Sequence, residues 1–269
     1  MPSLRLLSSS RELVQCEAVQ LAVWGMAERG IVPMAHLAAS IHAGGMVAGA
    51  FVNETLVGFV YGFPATRGGS SSSTGLHSHM LAVIPAYRGQ GLGKALKWYQ
   101  RDWCLEKGLS WMTWTFDPLQ RLNAHLNFEY LGITVKEYLI NAYGELEDEL
   151  NVGLPTDRLI ALWNLLDERV VNLVEGKTIE TSEDETIPKA LSQSREGRPS
   201  HSDLHLTNKR VSVSIPSSIG HLMTSEPELA KAWRFAVREV LLSYLGKGYF
   251  ISHFCENEYI LENITAIYS

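Results

Sequence analysis

Long apolar runs are missing from this chain of 269 residues. A membrane-spanning helix needs roughly 18–20 consecutive apolar residues, so no such span is expected. Residues 1–10 lack a charged start followed by a long apolar stretch, so no secretion signal is expected. There is no basic stripe either. Lys and Arg total 23 against 29 Asp and Glu, a formal net charge of −6. That balance excludes a protein built mainly to hold nucleic acid or an anionic membrane. Cysteine is scarce: Cys16, Cys104 and Cys255 are far apart, odd in number and never in a Cys-x-x-Cys pair. Neither a disulfide framework nor a structural metal site is expected, and three reduced thiols fit a cytoplasmic protein.

What remains is an ordinary globular composition, 46% apolar. Ser10 is placed to cap a first helix, and Pro33 to open a second that runs to about His42. Runs 47–52 and 56–63 read as a hairpin turned at Asn53-Glu54. A Gly/Ser-rich stretch at 68–74 reads as a loop. A strand follows at 76–83. Residues 91–107 have helical periodicity, with Leu92, Leu96, Tyr99 and Trp103 on one face and Lys94, Lys97 and Arg101 largely off it. Further elements are a strand at 110–116, a short helix at 122–130 and strands at 133–142 and 158–165. Residues 175–208 are polar and read as a long surface loop. A strand at 211–215, an amphipathic helix at 226–245 and a closing hairpin complete the chain. The expected organisation is a domain at 1–168, a polar loop or linker at 169–209 and an α/β extension at 210–269.

The most informative stretch joins the 76–83 strand to the next helix through Arg88-Gly89-Gln90-Gly91-Leu92-Gly93-Lys94. A glycine-rich turn opening a helix leaves backbone N–H groups unpaired. It also lets an anion approach them along the helix dipole. The spacing misses the dinucleotide pattern G-x-G-x-x-G, and Ala95 after Lys94 breaks the phosphate-loop pattern. What fits is Arg-x-x-Gly-x-Gly, at Arg88, Gly91 and Gly93. With its preceding apolar strand and following amphipathic helix, this segment resembles the GNAT superfamily of acyl-CoA N-acyltransferases. The resemblance covers roughly residues 1–165. It implies an α+β fold with a mixed, mostly antiparallel central sheet flanked by helices. It also implies that this turn holds the pyrophosphate of acetyl-CoA or another acyl-CoA, with Leu81, Ala82 and Val83 lending a backbone N–H to the thioester carbonyl. Asn123 would meet the pantetheine arm.

His77 and His79, two apart on a strand, would share a face with Leu81 and Val83. A primary amine is mostly protonated at neutral pH, so a base of near-neutral pKa is useful for acylating it. The His-x-His-x-x-Ala-Val segment resembles arylalkylamine N-acetyltransferases, which implies a proton-relay role for His77 and His79, His79 first. In the family's second motif, Phe128 stands where a tyrosine usually protonates the leaving thiolate. His125, Tyr130, Tyr138 and Tyr143 are the alternatives. Asp117 reads as a cap or a substrate contact. Arg158, after Asp157, reads as a local ion-pair partner or a clamp for a substrate carboxylate. Together with Asn123-Ala124 and Arg238-Glu239, these residues resemble a bacterial GNAT subgroup with a long C-terminal extension. That implies a small-molecule amine acceptor, amino acids included, and acetyl or succinyl donors. No metal, nucleic acid or membrane partner is expected, and homodimerisation is left open. A non-catalytic acyl-CoA-binding protein on the same fold is the alternative.

Overall fold

A computed structural model describes residues 2–25, 30–67, 73–144, 153–177 and 186–263. Most of the loop expected at 68–74 lies outside them. The chain is α+β and divides into two compact units, which do not meet at residues 168 or 209. The first comprises Met1–Trp114, Glu147–Leu150 and Asn164–Leu166, and the second comprises Thr115–Leu146, Asn151–Trp163 and Asp167–Ser269.

The first unit carries strands β1 (Ser3–Leu6), β2 (Met46–Val52), β3 (Thr55–Arg67), β4 (Ser73–Val83) and β5 (Trp111–Phe116), which begins here. They pair in that order, antiparallel except for β4 with β5. The β2–β3 turn puts Asn53 and Glu54 at φ 47° and 63°, the paired left-handed geometry that joins twisted strands tightly. Helices α1 (Ser10–Trp24) and α2 (Met34–His42) cover one face. The cap of α1 is Ser9, not Ser10, because Glu12 three residues on completes a capping box with Ser9. Leu13, Cys16, Val19 and Leu37 bury there against Val47, Phe51, Phe59 and Tyr61.

Helix α3 (Leu92–Glu106) packs on the other face. There Gln100 Nε2 reaches Met46 Sδ at 3.5 Å and Lys97 Nζ reaches Ser78 Oγ at 2.9 Å. Its buried residues are Leu92, Leu96, Lys97, Gln100, Arg101 and Cys104. The inward stripe is therefore rotated from the expected one, and Lys97 and Arg101 are buried rather than solvated. Polar groups are tolerated inside because each finds a partner: Arg101 donates to the Leu165 carbonyl through Nε (3.1 Å) and Nη2 (2.8 Å).

In the second unit the strand order is β7 (Arg158–Asn164), β6 (Thr134–Leu139), β11 (Tyr249–Cys255), β12 (Glu258–Asn263), β10 (Arg210–Ser214), β8 (Lys189–Gln193) and β9 (Pro199–Ser202). Only β10 with β8 is parallel among the described pairs. Helix α4 (Arg121–His125) continues into a wide turn at Leu126–Tyr130. Three further helices are α5 (Glu168–Val174), α6 (Ile219–Ser225) and α7 (Pro227–Gly246). The segment 169–209, expected as a polar loop, thus holds most of α5, plus β8 and β9. Its strands are short and half polar, and Ala190 and Leu191 supply the buried positions. On α7, Trp233, Val237, Val240, Leu241 and Tyr244 are buried as the periodicity predicts. Arg234 is buried with them.

Candidate acyl-transfer site

The site is built on β4 and the turn that follows it. The β3–β4 ladder shifts register between Tyr61 and Gly62: Met80 faces Tyr61, Ser78 faces Gly62, and His79 is the extra residue of a β-bulge. A bulge resets the alternation of side chains. Met80 and Ala82 therefore join the α1/α2 face with His77, while Leu81 turns toward α3. This corrects the strict alternation that grouped Leu81 and Val83 with the histidines. His77 and His79 do share a face, with ring centroids 6.2 Å apart.

The bulge places both imidazoles in an aromatic cluster. Phe63 lies 5.2 Å from His77 and 5.7 Å from His79, and Tyr61 lies 5.8 Å from His79. Tyr61 is also edge-on to His36 of α2 at 6.1 Å, and its hydroxyl lies 2.6 Å from Ser40 Oγ. His77 Nδ1 meets Thr113 Oγ1 at 3.1 Å. His79 is exposed and His77 half-buried. Burial pushes the His77 pKa down to about 4, helped by His79 and Lys97. The His79 pKa also falls, through burial and then His36. Both rings are therefore neutral at pH 7 and able to accept a proton. His36, Tyr61 and Phe63 had no spacing signal of their own. The hairpin register that sets β3 against β4 is what brings Tyr61 and Phe63 here.

The strands part just beyond this cluster. Among the described residues the parallel β4–β5 ladder comprises Leu76 with Met112 and His77 with Thr113. Residues 78–83 continue past it, so every second N–H on that edge of β4 points into the opening. Leu81, Ala82 and Val83 lie on this stretch, and the bulge adds the neighbourhood of His79 as a donor region that the sequence did not reveal.

A short 3-10 turn, Pro85–Tyr87, leads into the glycine segment. Arg88 Nε donates to the Val83 carbonyl at 3.1 Å and pins the turn to the strand end. Gly89 and Gly91 have φ of 75° and 77°, a region closed to most side chains. A Cβ on either would meet nothing within 4 Å, so their surroundings are open. Gly91 is the N-cap of α3 and brings no side-chain cap. The first N–H groups of α3, at Leu92, Gly93 and Lys94, thus face outward beside exposed Arg88, Gly89 and Gln90. Uncapped donors, a helix N-terminus and nearby Arg88 suit a pyrophosphate.

The remaining candidates belong to the second unit. Asn123 is exposed on α4. Phe128 is wholly buried, packed edge-on to Phe116 (6.3 Å) and Tyr259 (5.8 Å). Of the alternatives to the missing tyrosine hydroxyl, Tyr138 donates to Asp157 Oδ2 at 2.6 Å, and burial with Asp157 pushes its pKa far up. Tyr143 OH lies 2.7 Å from Thr115 Oγ1, and His125 and Tyr130 stack edge-on at 5.2 Å. Arg158 Nη1 donates to the Asp157 carbonyl at 2.8 Å and lies 3.8 Å from Asp117 Oδ2. Asp117 both caps, accepting from Leu119 N–H at 2.8 Å, and forms ion pairs. No cluster of His, Cys, Asp or Glu among the described residues could hold a metal ion. No described helix is long and apolar enough to cross a membrane.

The turn and its strand lie within a family match. Residues 15–129 match the model of the acetyltransferase (GNAT) family. This segment is a GNAT acetyltransferase domain. Among solved structures, the chain is similar to the ribosomal-protein-S18-alanine N-acetyltransferase of Escherichia coli, at 15% identity over 69% of this chain and 100% of that one, TM-score 0.47. It is similar to Arabidopsis thaliana Naa50 in complex with a bisubstrate analogue, at 17% identity over 60% of this chain and 97% of that one, TM-score 0.47. A third is the PaiA N-acetyltransferase of Thermoplasma acidophilum in complex with coenzyme A, at 16% identity over 61% and 99%, TM-score 0.44. No curated protein matches the chain.

Proposed function

We propose that the GNAT domain transfers an acetyl or other short acyl group from acyl-CoA to the primary amine of a small molecule. The observation that carries this reading is a single continuous segment. A bulged strand bearing two neutral imidazoles runs directly into a glycine turn and an uncapped helix N-terminus. The residues fit the co-substrate, since open space over Gly89 and Gly91 lets phosphates reach the backbone. An acyl-CoA supplies an acyl group activated as a thioester. The turn formed by Arg88, Gly89, Gln90, Gly91, Leu92, Gly93 and Lys94 holds the pyrophosphate. The edge of β4 past His77 offers N–H groups to the carbonyl oxygen, where charge develops during attack. His79, with His77 behind it, takes the amine proton. Holding amine and thioester together supplies proximity. Asn123 is proposed for the pantetheine arm. Arg158, already engaged by Asp157 and near Asp117, is proposed to read an acceptor carboxylate.

Calorimetry with acetyl-CoA and succinyl-CoA, then thiol release over a panel of amines and amino acids, tests the reading. Binding followed by amine-dependent thiol release is expected. A second reading, a protein that binds acyl-CoA without turning it over, is favoured by Phe128, whose buried ring has no hydroxyl to give. Binding with no thiol release for any amine supports it. If neither ester binds, both readings fail.

A further inference from the structure

Lys97 is a buried charge in the first unit that the proposed chemistry leaves unused. Its side chain is 2% exposed. Nζ donates to Ser78 Oγ at 2.9 Å and to Gln100 Oε1 at 3.4 Å, and sits 3.5 Å over the centre of the Trp114 ring. Two hydrogen bonds and one π face account for the three N–H groups of the ammonium. No described carboxylate forms an ion pair with it. A lysine buried on these terms is costly, so a purely structural site would be served as well by an apolar side chain.

Its place in the sheet is specific. The last β4–β5 pair is His77 with Thr113. One step further along each strand stand Ser78 and Trp114. Lys97 touches both of these, so its ammonium lies at the fork where the strands part. We propose that Lys97 is a positioning residue of the acyl-transfer site, bridging the strands at the fork and setting an ammonium beside the thioester sulfur. The inference rests on the proposed acyl-CoA reading, which places the thioester at that fork.

The transfer itself shows why a cation belongs there. The amine nitrogen forms a C–N bond with the acyl carbon, the amine proton passes to His79, and the C–S bond breaks with its electron pair on sulfur. Phe128 offers no proton to that sulfur. A nearby ammonium stabilises the thiolate without having to give its proton away. Burial pulls the Lys97 pKa down to about 7, and Cys104, about two turns along α3, pulls the other way. The other groups around it are Ser78 and His77 on β4, Gln100 on α3 and Trp114 on β5, none of them anionic at pH 7. A thiolate would therefore be its one negative neighbour, and each charge would favour the other.

The test uses coenzyme A itself and the full chain. Thiolate absorbance of bound coenzyme A near the ultraviolet edge, followed against pH, gives the pKa of its thiol. In the wild type the bound thiol is expected to ionise about one unit or more below free coenzyme A, the size of effect an adjacent opposite charge produces. Lys97→Met should abolish that shift and lower kcat for thiol release by roughly 100-fold, with KM for acetyl-CoA little changed. Lys97→Gln keeps a donor for Ser78 without the charge and should behave alike. Lys97→Arg should retain the lowered thiol pKa. Melting curves identify any variant that does not fold, and the other variants then decide. An equal thiol pKa in wild type and folded Lys97→Met or Lys97→Gln overturns the inference while leaving the acyltransferase reading intact. Failure of the wild type to bind coenzyme A overturns both.

Discussion

Arg234 and Asp117 stand 117 residues apart in the chain and close on each other with both ends of the fork. Nη1 meets Oδ1 at 2.9 Å and Nη2 meets Oδ2 at 2.6 Å, with both side chains almost fully buried. One turn along α7, Arg238 grips Asp157 side-on, Nε donating to Oδ2 at 2.7 Å and Nη2 to Oδ1 at 2.8 Å. The C-terminal hundred residues are thus tied to the ends of the segments that carry Asp117 and Arg158. Removing one partner of a buried pair leaves the other charge stranded. Arg234→Met should therefore cost about 3–5 kcal/mol of stability. The double variant with Asp117→Asn should recover much of that loss. Chemical denaturation of the full chain measures both, and a single-variant loss below about 1 kcal/mol would show an open, solvent-screened pair.

The same network has a pH signature at Asp157. Burial alone would raise its pKa, but the bonds from Arg238 and Tyr138 and the Asn141 N–H outweigh burial and hold it below the usual carboxylate range. A depressed folded pKa contributes stability that is present above the unfolded value, about 3.9, and is lost as pH falls through the folded one. Melting temperature should therefore drop on acidification below about pH 4, and less steeply in Asp157→Asn. Equal slopes would mean the carboxylate is not the group responsible.

Gly91 offers a cleaner probe of the turn. Its φ of 77° penalises any side chain, yet a Cβ there touches nothing. Gly91→Ala should cost about 1 kcal/mol in stability from backbone strain. Its effect on acetyl-CoA should be larger, roughly a tenfold rise in KM, since the added methyl stands where phosphate approaches the uncapped N–H groups. Melting curves and KM measured side by side separate the two. A KM that moves no more than the stability does would remove the turn from the binding site.

The sequence made part of this site legible, and the reasons differ by residue. Asn53-Glu54 fixed a tight hairpin because two left-handed residues between β-rich runs leave few other geometries. Gly91 marked the start of α3 for the same local reason. The rotated face of α3 was not legible, since Lys97, Gln100 and Arg101 are buried only because Ser78 and the Leu165 carbonyl arrive from elsewhere in the chain. The bulge at His79 was hidden too, because one extra residue changes pairing without changing composition. In 169–209, scattered apolar residues looked like loop; β8 needs just Ala190 and Leu191 to find a core.

Phe128 tests whether a missing hydroxyl matters. Its ring is wholly enclosed by Phe116 and Tyr259, and the Tyr259 hydroxyl is already spent on the Pro118 carbonyl at 2.7 Å. Phe128→Tyr would bury a hydroxyl in this packed site, costing about 1–3 kcal/mol if it goes unpaired, and should not raise kcat. A faster enzyme would show that the position does reach the leaving sulfur.

The histidines carry the last expectation, and its sign follows from their depressed pKa values. A His whose folded pKa is about 4 is uncharged in the native protein from neutrality down to that pH. The unfolded chain protonates near 6.5, so the His77 contribution to stability is full above that value and is lost progressively as pH falls toward 4. His77→Gln should therefore flatten the fall in melting temperature across that window. In catalysis the same shift keeps the relay ready to accept a proton under mildly acidic conditions. Replacing both His77 and His79 with Gln should lower kcat by roughly 100-fold, the usual range for losing general-base help. It should also flatten the acidic limb of the pH–rate profile. An unchanged limb at unchanged kcat would assign the amine proton to water or to another group, and would leave the bulge at His79 with a role in carbonyl binding alone.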